Sequence, residues 1–145
     1  MGRVLAVDLG TRRIGLAVSD ELRMTAQGIP TLIRRNLRAD MEELARIAAE
    51  RNVDRILLGD PRRMNGEAGR QSEWVRDFAA RLERHFTFPV ELWDERLTSR
   101  EAERTLRGSG VANQDRKAAI DRLSAVILLQ SYLDSRHYQN SEPAL

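Results

Sequence analysis

Asp8 stands where the apolar run Val4-Leu5-Ala6-Val7 gives way to Leu9-Gly10-Thr11-Arg12-Arg13, which puts a carboxylate at the exit of a short buried strand. A second acidic exit, Asp94-Glu95-Arg96, follows Val90-Glu91-Leu92-Trp93. A third acid, Asp121, interrupts a stripe of Ala118, Ala125, Leu128 and Tyr132 at helical spacing. Carboxylate oxygens are the ligands that Mg²⁺ and Mn²⁺ prefer, and a cluster of like charges is costly unless a cation neutralises it. Three acids at apolar edges therefore point to one hard-metal site.

Each acid also has a plainer role. Asp8 could be a turn former that satisfies local backbone N–H groups. Asp94 and Glu95 could be a solvated strand end ahead of a helix capped by Thr98 or Ser99, with Glu101 in its first turn. Asp121 could neutralise Arg122 or an arginine from another element. Because strand side chains alternate between faces, only one of Asp94 and Glu95 can point toward a functional edge, and the pattern leaves open which.

Around these acids stand basic pairs that follow strand ends or begin helices: Arg12 and Arg13, Arg62 and Arg63, Arg96 and Arg100, and Arg116 with Lys117. Such a ring suits a phosphodiester backbone held over a metal site. Arg46, Arg51, Arg76, Arg81 and Arg84 fit an ordinary solvated helix face better. Of the 24 basic side chains 23 are arginine, and the computed pI is about 9.6. That bias suits phosphate recognition, although a GC-rich coding sequence would produce it too.

Composition narrows the classes. The absence of Cys removes disulfides, thiol chemistry and Cys-ligated zinc, and His85 and His137 alone argue against a His-rich metal site. No apolar stretch approaches the ~20 residues of a membrane span, and Met1-Gly2-Arg3 leads into a strand rather than a signal peptide, so no membrane partner and a cytoplasmic location are expected. The 145 residues fit one domain over 1–136 with a polar tail over 137–145.

The elements that must position the acids follow from periodicity. Residues 3–9 and 14–19 predict a hairpin closed by Gly-Thr-Arg-Arg, and 27–34 a third antiparallel strand. Met41, Leu44, Ile47 and Ala48 mark a helix from Asp40 to near Asn52. Residues 55–61 read as a buried strand, followed by a loop through Asn65-Gly66. Trp74 to Leu82 predicts a helix, Pro89 to Trp93 a strand, and Thr98 to Leu106 a helix that runs into Gly108-Ser109-Gly110. A last helix is expected over 115–135. The order β-β-β-α-β-α-β-α-α implies an α/β fold with a mixed five-stranded sheet flanked by helices, and ligands in such sheets gather outside the carboxyl ends of parallel strands.

Four motifs in order, Asp8-x-Gly10-x-x-Arg13-x-Gly15-x-Ala17-x-Ser19-Asp20, Gly59-x-Pro61 with Asn65-Gly66, Asp94-Glu95-Arg96-Leu97-Thr98-Ser99, and Asp121-Arg122-Leu123-Ser124-Ala125, resemble the YqgF/RuvX family over residues 4 to about 133. An Asp-x-Gly-Thr run also opens the first phosphate loop of actin-like and sugar-kinase ATPases, but those folds need two such domains. The YqgF/RuvX resemblance implies an RNase H-like fold related to the RuvC resolvases. It also implies a nuclease dependent on Mg²⁺ or Mn²⁺ that processes the 5′ end of the 16S ribosomal RNA precursor, and some members are described as Holliday-junction resolvases. Carried over by motif, the family's acids fall on Asp8, Glu95 and Asp121, which then serve as metal ligands and catalytic residues. Arg12, Arg13, Arg62, Arg63, Arg96, Arg100 and Lys117 are the expected nucleic-acid contacts. The resolvase relatives place an acid on the fourth strand where this chain has Leu57-Leu58-Gly59, with Asp60 just beyond. Structured RNA is the expected partner, with branched DNA second and a non-catalytic ribosome-assembly binding module as the alternative. A monomer or a homodimer is expected, since a junction resolvase must cut two strands.

Overall fold

A computed structural model describes residues 2–60, 70–94 and 113–141. Within them, β1 (Arg3–Leu9), β2 (Arg13–Ser19) and β3 (Ala26–Ile33) form the expected antiparallel set. Helix α1 (Leu37–Glu50) leads to β4 (Val53–Asp60), α2 (Arg70–His85) to β5 (Val90–Asp94), and α3 (Asn113–Ser141) follows. The sheet order is β3-β2-β1-β4-β5, with β1, β4 and β5 mutually parallel. The mixed five-stranded sheet predicted from periodicity is therefore present. The 61–69 loop and the helix predicted after Thr98 lie outside the described residues.

Two of the helix boundaries that differ from expectation do so for local reasons. Helix α1 starts at Leu37 rather than Asp40, because Asn36 caps it: its side chain accepts a hydrogen bond from the Ala39 N–H at 2.9 Å. A cap of this kind contributes about 1 kcal/mol. Helix α3 continues past Ser135 to Ser141. The apolar stripe ends earlier, but neither Gly nor Pro interrupts the backbone before Pro143.

Strand alternation divides the core into two layers. Leu5, Val7, Ile14, Leu16, Ile56 and Leu58 face α1 and α2, where they meet Met41, Leu44, Ile47, Val75, Phe78 and Leu82. On the other face Val4, Ala6, Ala17 and Leu57 lie under Ala125, Leu128, Leu129, Tyr132 and Leu133 of α3. Each large side chain buried in these layers contributes about 1.5–3 kcal/mol. Ala6, Ala17 and Gly28 on this face are small, so the helix approaches closely: a Cβ added to Gly28 would lie 2.6 Å from Arg122 Cγ and 3.3 Å from Val126 Cγ2. Farther along, the Gln130 side chain donates to the Met24 carbonyl at 3.1 Å and accepts from the Ala26 N–H at 2.9 Å. Helix α3 thus runs antiparallel to β3, with the turn that holds residues 121 and 122 nearer the edge where β1 ends. No helix among the described residues is long and apolar enough to cross a membrane.

Candidate active site

Strands β1, β3, β4 and β5 run in the same direction, so their carboxyl ends share one edge of the sheet. Asp8 lies one residue from the end of β1, the central strand. Alternation with Val4 and Ala6 turns it, half-buried, to the α3 face. Its register partner on β2 is Gly15. On β4, Gly59 follows Leu58, which pairs with Val7, and so is next to Asp8 on that side. Alternation with Ala17 and Leu57 assigns both glycines to Asp8's own face. Neither neighbour carries a Cβ, so the carboxylate sits in a recess of the sheet. The turn after it is tight. The Gly10 N–H donates to the Arg13 carbonyl at 2.9 Å, and a Cβ at Gly10 would come within 2.5 Å of that oxygen.

Position 121 belongs to the α3 turn just before Arg122, at the Gly28 end of the helix that covers this face. It continues the stripe of Ala125, Leu128 and Tyr132, all three buried as the spacing predicts. One turn further along, the Ser124 hydroxyl is buried with no hydrogen-bond partner among the described residues. The structure thus brings Asp8 and the helix turn bearing Asp121 to one face and one end of the sheet.

The choice between Asp94 and Glu95 is narrowed by β5. Glu91 and Trp93 belong to the α3 face: Glu91 accepts a hydrogen bond from Arg136 at 2.9 Å, and Trp93 packs edge-on against Tyr132 with ring centroids 5.3 Å apart. Asp94 therefore belongs to the opposite face. It pairs in register with Asp60, which is also on that face, buried to 2 % exposure and 3.8 Å from Arg76 of α2. Asp60 and Asp94 do not share a face with Asp8. Glu95 lies outside the described residues.

Among the predicted nucleic-acid contacts, Arg13 follows the parity of Gly15 and Ala17 and shares Asp8's face, half-buried. Arg12 is exposed at the turn. Arg62, Arg63, Arg96 and Arg100 lie outside the described residues, and Lys117 falls in the first turns of α3. Of the arginines read as a solvated helix face, Arg46 pairs with Glu43 and Glu50 on α1 as that reading requires, whereas Arg76 reaches across to buried Asp60. Arg34 and Asp40 gave no signal in the sequence. They form a 3.1 Å ion pair, and Arg34 also donates to the Gly10 carbonyl at 3.0 Å while lying over the Trp74 ring at 5.5 Å. The glycines beside Asp8 had a readable signal, since Gly inside an apolar strand marks close backbone approach.

The arrangement of strands, with an acid on the central one, defines a class before it defines a family. Solved structures of similar fold include Thermus thermophilus RuvC in complex with a Holliday junction substrate (TM-score 0.53, 12% identity, covering 94% of this chain and 96% of that one). Fowlpox virus resolvase in complex with Holliday junction DNA is another (TM-score 0.54, 14% identity, 92% and 98%). The fold is therefore the RNase H-like fold of the RuvC-type resolvases. The family model described as "RuvX: Holliday junction resolvase" matches residues 2–135. Curated relatives carrying the name "Putative pre-16S rRNA nuclease" include those of Koribacter versatilis (49% identity over 142 residues, 98% of this chain and 93% of the relative) and Bacillus subtilis (44% over 135 residues, 92% and 98%). The chain belongs to the RuvX family of nucleases.

Proposed function

We propose that this protein is a cytoplasmic, divalent-metal-dependent nuclease that trims the 5′ end of the 16S ribosomal RNA precursor, with Asp8, Glu95 and Asp121 holding Mg²⁺ or Mn²⁺. The observation that carries the reading is Asp8 itself, a carboxylate between two glycines at the end of the central strand, under the helix that bears Asp121. An all-oxygen donor set of this kind fits a hard cation. Bound there, the metal would lower the pKa of water and offset charge on the attacked phosphodiester. The chain's own part is to position. Asp8 fixes the ligand set to the sheet, the bare backbone at Gly15 and Gly59 leaves room for the scissile phosphate, and Arg13 on the same face holds an adjacent phosphate oxygen. The names of the relatives favour RNA over DNA. Trimming one RNA end requires one site, so a monomer suffices, whereas a junction resolvase requires two.

The test is to incubate the purified protein and Mn²⁺ with a 16S precursor leader, a single-stranded oligonucleotide and a four-way DNA junction at matched salt. Cutting of the leader at a defined position is expected. Cutting confined to the junction would replace the RNA reading with a resolvase, and no metal-dependent cutting at all would leave a binding module.

The face assignment predicts different fates for neighbouring acids. Asp94→Asn should keep most of the cleavage rate, while Glu95→Gln should lose at least about a hundredfold, read as initial rates on the leader with Mn²⁺. A larger loss in Asp94→Asn than in Glu95→Gln would overturn the assignment of Glu95.

A further inference from the structure

On the other side of the β1–β2 turn from Asp8, a cleft of about 510 Å³ opens between that turn and the β3–α1 junction, lined by Thr11, Arg12, Ile33, Arg34, Arg35 and Asn36 with Asp40. Its floor is fixed. Arg34 pairs with buried Asp40, its guanidinium donates to the Gly10 carbonyl, and its backbone N–H donates to the Arg12 carbonyl at 2.9 Å. Arg34 and Asp40 cancel each other's charge, which leaves Arg12 and Arg35 as the cleft's net positive groups. Both are exposed, and among the described residues no carboxylate forms an ion pair with either guanidinium. Glu43 lies near Arg35, but its carboxylate is engaged by Arg46 at 3.1 Å.

We infer that this cleft is a second phosphate-backbone subsite, which holds the RNA strand after it has passed over the β1–β2 turn from the cleavage site. The inference rests on the nuclease reading above and adds the path of the substrate. Three features favour the sugar-phosphate chain as occupant. Among the described residues the lining has no aromatic ring on which a base could stack, and its apolar member there, Ile33, is 73% exposed. The charge is presented by two guanidinium groups, which contact phosphate oxygens in pairs. The cleft is also continuous with the catalytic edge through consecutive residues: Arg13 belongs to the face of Asp8, while Arg12 lines the cleft. The Arg12-Arg13 pair thus straddles the edge, and a strand gripped by both must bend across the turn.

The test uses the Asp8→Asn protein, so that RNA stays intact, and compares it with the same protein carrying Arg12→Ala and Arg35→Ala. Both side chains are exposed, and the backbone bond from Arg34 to Arg12 survives the change, so the melting temperatures should match. Dissociation constants are measured by anisotropy for a labelled 16S precursor leader and for a series shortened from either end, between 50 and 200 mM salt. For the full leader the two substitutions should weaken binding about tenfold and lower the slope of log affinity against log salt by about 1.5, as expected for two lost phosphate contacts. The difference should vanish for RNAs too short to reach from Asp8 across the turn. Equal affinity and slope for the full leader would overturn the inference, even with cleavage by the unsubstituted protein intact. A length-dependent loss would uphold it even if that protein failed to cut the leader with Mn²⁺, a result that would count against the nuclease reading alone. A loss of the same size at every length would place the arginines outside any extended path and overturn it. So would a loss seen only with a four-way DNA junction.

Discussion

Asp8→Asn should lower Mn²⁺-dependent cleavage by at least about three orders of magnitude, because on the proposed assignment the amide removes the metal ligand carried by the central strand. The change is nearly isosteric and lies in a recess between Gly15 and Gly59, so packing has little to lose. The discriminating measurement is a thermal melt with and without Mn²⁺. A metal bound only by the native state stabilises it through mass action, by about 2.7 kcal/mol at a hundredfold excess over the dissociation constant. The unsubstituted protein should therefore melt higher with Mn²⁺, and Asp8→Asn should not. A variant that loses stability without metal and keeps its Mn²⁺ response would return Asp8 to the role of a turn former.

The largest stability effect is expected at Arg34, across the β1–β2 turn from Asp8. Arg34 is the partner of Asp40, which is 2% exposed, and it also bonds the Gly10 carbonyl and lies over Trp74 and Phe78 at 5.5 and 5.7 Å. Arg34→Ala leaves a buried carboxylate whose remaining partner is the Arg35 backbone N–H at 3.1 Å. Breaking one half of such a pair costs about 3–5 kcal/mol. For a chain of this length that is a fall of about 10–15 °C in melting temperature. A double change, Arg34→Met with Asp40→Leu, should recover much of the loss, since apolar groups of similar size often replace a buried pair at little cost. An Arg34→Ala loss below about 1 kcal/mol would mean that water solvates Asp40 as soon as the guanidinium is gone.

The strands, the two covering layers and the position of Asp8 were legible because period-2 and period-3.6 patterns are local and the chain obeys them: Val4 to Val7, Met41 to Ala48 and Ala125 to Tyr132 are buried as their spacing requires. Asp94 was ambiguous for the opposite reason. Its face depends on which side of β5 meets α3, and that is a contact between segments more than thirty residues apart. Asp60 illustrates the same limit, since a strand-end acid beside the motif residues proved to belong with Arg76 on the far face. Arg34 and Asp40 were silent because each is ordinary in its own window, and only the folding of the β1–β2 turn against the start of α1 makes them partners. The helix start at Leu37 escaped the apolar pattern, although Asn36 is a strong capping type.

Placing Asp8 on the middle strand also sets how the site can fail. Edge elements exchange their amide hydrogens by fraying, whereas a strand bonded on both sides opens only when most of the domain does. β1 has β2 on one flank and β4 on the other, with Leu5, Ala6 and Val7 fully enclosed. Asp8, the proposed metal anchor, therefore rides on the segment expected to exchange most slowly. Partial opening would cost the enzyme its grip on substrate well before it cost the anchor.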